Sequence, residues 1–78
     1  MKLEIITPDK KLYEGDVKSA VFPGSEGSFG VLDNHAPMIA TLKAGKVELT
    51  ETNNNKIDFP VKGGVVEVLR NKVTVLAE

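Results

Sequence analysis

The chain has 78 residues, with ten basic and eleven acidic side chains and a formal net charge of −1 at pH 7. A domain of this length buries only about 60% of the surface of its unfolded chain, so one domain over residues 1–78 with a thin core is expected, a module or a subunit. The near-neutral charge leaves no electrostatic footprint for nucleic acid, and the absence of cysteine excludes disulfides and thiolate metal sites.

In chain order, Leu3 to Thr7 and Asp16 to Phe22 read as strands, with turn signals between them at Pro8-Asp9 and at Gly15. Charges interrupt the apolar run of the opening "MKLEIITPDKK", which is therefore no signal peptide. From Val31 to Leu42 the apolar residues Val31, Leu32, Ala36, Met38, Ile39, Ala40 and Leu42 keep neither parity. A sandwich strand has one inward face, so this stretch is either covered on both sides within the fold or covered on its outer side by a partner. Lys46 to Thr50 and Lys56 to Lys62 alternate with period two, and "TNNN" at Thr52 to Asn55 between them is hairpin chemistry. Val65 to Leu69 and Lys72 to Leu76 form a last pair that Arg70-Asn71 turns back on itself. No window carries a sustained helical period with caps, so the expected class is all-β, an antiparallel sandwich or barrel of eight or more short strands. The charge-free run Asn34 to Leu42 falls far short of the ~20 apolar residues that span a bilayer.

Three of the seven glycines fall as G-x-x-G-x-x-G at Gly24, Gly27 and Gly30. The spacing matches neither the phosphate loop nor the dinucleotide turn, both of which also need a following helix. These glycines instead mark turns, bulges or close backbone approach, where a larger residue is expected to clash. His35, the only histidine, has Glu26 and Asp33 near it in sequence, the one candidate acid/base set. No nucleophile stands at a motif spacing and the three would make an irregular metal set, so His35 reads as a structural or interface hydrogen-bonder. Lys10, next to a turn, is the alternative of another kind, the modified lysine of an acyl carrier domain, although a surface lysine is usually solvated charge. The area law gives a folded surface of ~4,600 Å², and two standard interfaces of ~800 Å² each would take about a third of it.

The stretch Gly24-Ser25-Glu26-Gly27-Ser28-Phe29-Gly30-Val31-Leu32, followed by His35-Ala36-Pro37-Met38, resembles the epsilon subunit of rotary ATP synthases, called delta in mitochondria. Three further stretches agree in order: "TPDKKLYEGDV" from Thr7, "LKAGKVEL" from Leu42 and "VKGGVVEVLRNKVTVLAE" from Val61. Together they cover nearly the whole chain. Two positions depart from the family pattern: Ser28 stands where members often carry an acidic residue, and Asp33-Asn34 where they often carry Pro-Gly.

The resemblance implies an antiparallel β-sandwich of about ten short strands in two five-stranded sheets. It also implies a non-catalytic subunit of the central stalk that links the gamma subunit to the c-ring and couples ion-driven rotation to ATP synthesis. The implied c-ring contact is Ser25, Glu26, Gly27 and Ser28; the implied gamma contact is His35, Ala36, Pro37, Met38 and Thr41. No cofactor or metal is expected, nor a functional homo-oligomer. The implied location is the cytoplasmic side of the bacterial inner membrane, reached only through the complex. The family's C-terminal helical hairpin is expected to be absent from these residues. The alternatives from the residues themselves are the carrier domain modified at Lys10 and a small acid/base enzyme using His35 and Glu26.

Overall fold

In the computed structural model, which covers residues 1–78, the period-two segments become eight strands and no helix. They are β1 (Lys2–Ile6), β2 (Lys11–Gly24), β3 (Gly27–Leu32), β4 (Met38–Leu42), β5 (Gly45–Glu51), β6 (Lys56–Val61), β7 (Gly64–Leu69) and β8 (Lys72–Ala77). One hydrogen-bonded path joins them in the order β1-β8-β7-β4-β2-β5-β6, with β3 on β2 and β1 also on β2. All pairings are antiparallel except β1 with β8, which is parallel.

The 14-residue β2 is the corner of the sandwich. Its first half pairs with β1, and its second half lies between β3 and β5. One layer therefore holds the first half of β2 with β1, β8, β7 and β4, and the other holds β3, the second half of β2, β5 and β6. Counting β2 in both layers gives five strands in the first and four in the second, nine in place of the expected ten in two five-stranded sheets. A register shift between Val17 and Ser19 marks the corner. Before it the buried residue is odd-numbered, Val17; after it Ala20 and Phe22 are buried. The extra residue of such a bulge returns the inward face to the core in both layers.

Sixteen buried apolar side chains form the core, with Leu3, Ile5, Val66, Val68, Val73 and Val75 from one layer facing Phe22, Val31, Val47 and Leu49 from the other. The surface of 4723 Å² agrees with the area law. Arg70 and Asn71 take φ of 53° and 59°, the two left-handed positions of a type I′ hairpin turn. The "TNNN" hairpin is closed by Glu51 N donating to Asn55 O at 2.8 Å and Asn54 N to Glu51 O at 2.9 Å.

Two expectations are corrected. Gly15 is no turn but lies inside β2, whose pairing begins at Lys11. The Tyr13 ring folds over it, so that a Cβ at Gly15 would stand 2.7 Å from the Tyr13 hydroxyl. Val31 to Leu42 is two strands, not one, interrupted from Asp33 to Pro37, with Asn34 at φ 61°.

Candidate functional site

Each of those two strands keeps its own parity. Val31 points inward and Leu32 outward; Met38, Ala40 and Leu42 turn toward the core while Ile39 and Thr41 turn away. Leu32 is 65% exposed and Ile39 71% exposed, so the outward apolar residues are not covered within the fold. Cover within the fold is thereby ruled out at these two positions.

The hairpin between β2 and β3 turns at Ser25-Glu26, with Gly24 and Gly27 as Cα partners at its root. A Cβ on Gly24 would stand 2.5 Å from the Gly27 carbonyl oxygen and 2.9 Å from the Phe29 ring, so this position admits no side chain. Gly27 has open space around it but a φ of +129°, which L side chains rarely adopt. Gly30 differs from both: its nearest neighbour would be Ala20 O at 3.8 Å. The clash expected at all three glycines therefore occurs only at Gly24; at Gly27 the backbone conformation and not a neighbour disfavours a side chain, and at Gly30 the fold leaves room for one.

The hairpin tip is stitched to β4. Ser25 N donates to Thr41 O at 2.9 Å, Lys43 N donates to Pro23 O at 2.9 Å, and Thr41 Oγ1 donates to Ser25 Oγ at 2.9 Å. From this anchor β3 and β4 diverge, and an open groove of about 580 Å³ lies between them. Ser25, Glu26, Gly27 and Ser28 line one side of it, and Met38 and Thr41 the other. Phe29, Ile39 and Ala40 complete its apolar lining, and Glu26 is its one charged side chain.

The expected site residues thus divide. All four hairpin residues share the groove with Met38 and Thr41, whereas His35, Ala36 and Pro37 lie beyond it in the β3–β4 connection. Pro37 joins Met38 and Ile39 in an adjoining recess with Glu67, Val68 and Leu69. Asn34 N donates to Asn71 Oδ1 at 2.7 Å, fixing this connection to the β7–β8 turn. Half-buried His35 donates from Nδ1 to the Ala36 carbonyl at 2.7 Å.

The acid/base pairing of His35 with Glu26 is contradicted. They flank opposite ends of β3, six residues or roughly 20 Å of strand apart at ~3.3 Å per residue. The Asp33 carboxylate is engaged by the Met1 amino group at 2.5 Å instead. No three His, Asp or Glu side chains are grouped to hold a metal. Lys10 ends the exposed β1–β2 connection, its backbone tied to Thr7 by Thr7 N donating to Lys10 O at 2.8 Å.

The perturbed titrating groups lie away from the groove. Burial pushes the Tyr13 phenol up to about 12, helped by its hydrogen bond to Glu51 Oε2 at 2.7 Å. That bond, with a second from Asn55, holds the Glu51 carboxyl below its ordinary range. Lys11, 2.8 Å from Glu4 and 3.1 Å from Glu14, holds Glu4 down and is itself raised. These contacts tie strands together; they do not form a reaction centre.

Sequence reasoning did not single out Phe29 or Leu69 for this surface. The alternation of β3 separates inward Phe29 from outward Leu32, but only the pairing of β4 with β7 brings Leu69 beside Pro37.

The family model for the ATP synthase delta/epsilon chain, beta-sandwich domain, matches residues 1–78. An ATP synthase epsilon chain of Leptospira interrogans is 44% identical over 78 residues, which are 100% of this chain and 61% of that one. The chain therefore spans about three-fifths of the length of such curated relatives. An ATP synthase epsilon chain of Chlorobium limicola is 42% identical over 77 residues, 99% of this chain and 88% of that one. Among solved structures, a chain of the Euglena gracilis mitochondrial ATP synthase (OSCP/F1/c-ring) superposes with a TM-score of 0.90. It is 22% identical, and the match covers 96% of this chain and 48% of that one. A chain of the Tetrahymena thermophila mitochondrial ATP synthase central stalk/c-ring gives 0.80 at 21% identity, covering 99% and 62%. These two likenesses show the fold.

Proposed function

The chain belongs to the beta-sandwich domain family of ATP synthase delta and epsilon chains, and on that premise we propose that it is a non-catalytic adaptor of the ATP synthase rotor. In this role it joins the gamma subunit to the c-ring, so that ion-driven rotation reaches the catalytic sites. Its own contribution is shape and stiffness, with no bond chemistry. The hairpin Ser25 to Ser28 meets loops of the ring, and His35 to Met38 with Thr41 meet gamma. The domain works on the cytoplasmic side of a bacterial inner membrane and reaches it through the ring.

The observation that carries this reading is the hydrogen-bonded junction between Ser25 and Thr41. It joins the residues proposed for the two contacts into one unit, beside exposed Leu32 and Ile39. Light scattering after size-exclusion chromatography of this chain mixed with the gamma subunit of the same rotor tests it. A one-to-one complex is expected. Failure of two folded partners to associate, both with isolated gamma and with gamma on its ring, refutes the reading.

A further inference from the structure

The groove is bordered by two strand edges, and neither is protected. β3 pairs only with β2, and β4 meets β2 at the single pair Gly24–Leu42. An edge strand leaves a row of unpaired N–H and C=O groups, which proteins ordinarily guard with charge, proline or a bulge. The other edges here are guarded in that way: β6 carries Lys56, Asp58 and Pro60, and the first half of β2 carries Lys11, Glu14 and Asp16. β3 reads GSFGVL and β4 reads MIATL, with no charge and no proline in either.

The free groups on β3 can be assigned. Gly24 and Gly27 close the two-residue hairpin, so they and the pairs Phe22–Phe29 and Ala20–Val31 exchange hydrogen bonds across β2 and β3. The N–H and C=O of Ser28, Gly30 and Leu32 then point away from β2. On the facing wall, Thr41 O is taken by Ser25 N, and the alternation turns the backbone of Ile39 to the same open side. Gly30 adds an independent observation. Neither a left-handed φ nor a neighbour requires glycine there, and glycine inside a strand often marks the close approach of another backbone.

We infer that this seam is a strand-addition site: an extended segment of a protein partner, apolar on the groove side and basic at its ends, hydrogen-bonds along the free edge of β3. Its apolar side chains lie against Phe29, Met38 and Ile39. Its basic ends follow from charge complementarity, because Glu26 and Glu67 are the charged side chains of the groove and the adjoining recess and no Lys or Arg lines either. Main-chain bonds give such a site affinity, and the side-chain groove gives it selectivity.

The inference rests on the rotor reading for its partner, the gamma subunit, and the test separates the two. Amide hydrogen exchange is followed across β3 in the free chain and in the mixture with gamma, and with the assembled rotor if isolated gamma does not bind. In the free chain Phe29 and Val31 exchange slowly while Ser28, Gly30 and Leu32 exchange fast. In the complex these three slow by at least tenfold. Gly30→Pro, which removes an edge donor without breaking a β2–β3 bond, weakens association at least tenfold, and thermal melting reports whether the variant is folded. A complex in which Ser28, Gly30 and Leu32 exchange as before overturns strand addition and leaves the rotor reading standing. Absence of any complex with gamma or rotor overturns both. Should Gly30→Pro fail to fold, the exchange pattern of the unaltered chain decides alone.

Discussion

Gly24 and Gly30 belong to one sequence pattern, yet alanine at the two positions has opposite expected effects. At Gly24 the new methyl would sit 2.5 Å from the Gly27 carbonyl and 2.9 Å from the Phe29 ring. The carbonyl is backbone in the tight root of the hairpin and cannot rotate away, and Phe29 is held against Phe22 with ring centroids 5.5 Å apart. Overpacking of this kind costs ~1–3 kcal/mol, and the backbone contact places Gly24→Ala at about 2–3. The whole domain has roughly 4–12 kcal/mol of stability at ~0.05–0.15 per residue. At ~4–8 °C per kcal/mol, the melting temperature falls by roughly 8–24 °C. At Gly30 the nearest atom is 3.8 Å from the new methyl, and alanine narrows the unfolded ensemble, worth ~0.4–1 kcal/mol in favour of folding. Thermal unfolding followed by far-ultraviolet circular dichroism measures both. Comparable destabilisation by the two substitutions would refute the assignment of Gly24 to the fold and Gly30 to the surface.

The remaining predictions concern the strand ties, the core and the groove. Tyr13 holds its proton more tightly in the folded chain than in the unfolded one, since its value rises to about 12 from the usual 10.0. Its contribution to stability is therefore complete below pH ~10 and disappears as pH rises toward about 12. The chain holds one tyrosine and no tryptophan, so phenolate absorbance reads the titration directly; Glu51→Gln lowers the midpoint, and an ordinary midpoint in the unaltered protein contradicts the buried contact. Phe22→Ala, at the largest fully buried side chain, costs ~3–5 kcal/mol in urea unfolding, a large part of the total; a loss below ~1 kcal/mol would mean that the core does not close around Phe22. Ile39→Asp, at a side chain 71% exposed, leaves the melting temperature within a few degrees and, on the rotor reading, weakens association with gamma at least tenfold, measured by titration calorimetry.

The strands and hairpins were legible because their signals are local. Arg70-Asn71 and Thr52 to Asn55 needed only turn chemistry, and the alternation from Lys56 to Val61 needed only its period. Gly15 misled because its reason for being glycine lies two residues away in the Tyr13 ring, which covers it from the same face. The corner in β2 was invisible for a related reason: a bulge is a change of register against partners, and Val17 to Ala20 carries no Pro or Gly to announce it. The parity conflict from Val31 to Leu42 was a sound signal read over too long a window. Split at Asp33 to Pro37, it leaves Leu32 and Ile39 outward, and these are the exposed residues that point to a partner. The hairpin and β4 were each marked as contact segments, but their junction through Ser25 and Thr41 depends on how the two layers close, which no short-range pattern encodes.

Closure of the layers also bears on stiffness, the property an adaptor in a rotor requires. β1, β8, β7, β4 and β2 form a hydrogen-bonded cycle that meets itself through the β1–β2 pairing and the Gly24–Leu42 link. Four of the links in this cycle run over several residue pairs, whereas the β2–β4 link is one pair. That link is therefore the compliant point of the ring of strands. It lies at the mouth of the groove, between the residues proposed to meet the c-ring and those proposed to meet gamma. A strand added along β3 would brace the hairpin beside it. On the rotor reading, partner binding would then stiffen the domain where load enters. Breaking the side-chain bond with Thr41→Val should loosen the hairpin amides in the free chain and change them less in the complex. Equal loosening in both states, read by amide exchange at Ser25 to Ser28, would mean that the added strand does not share the load.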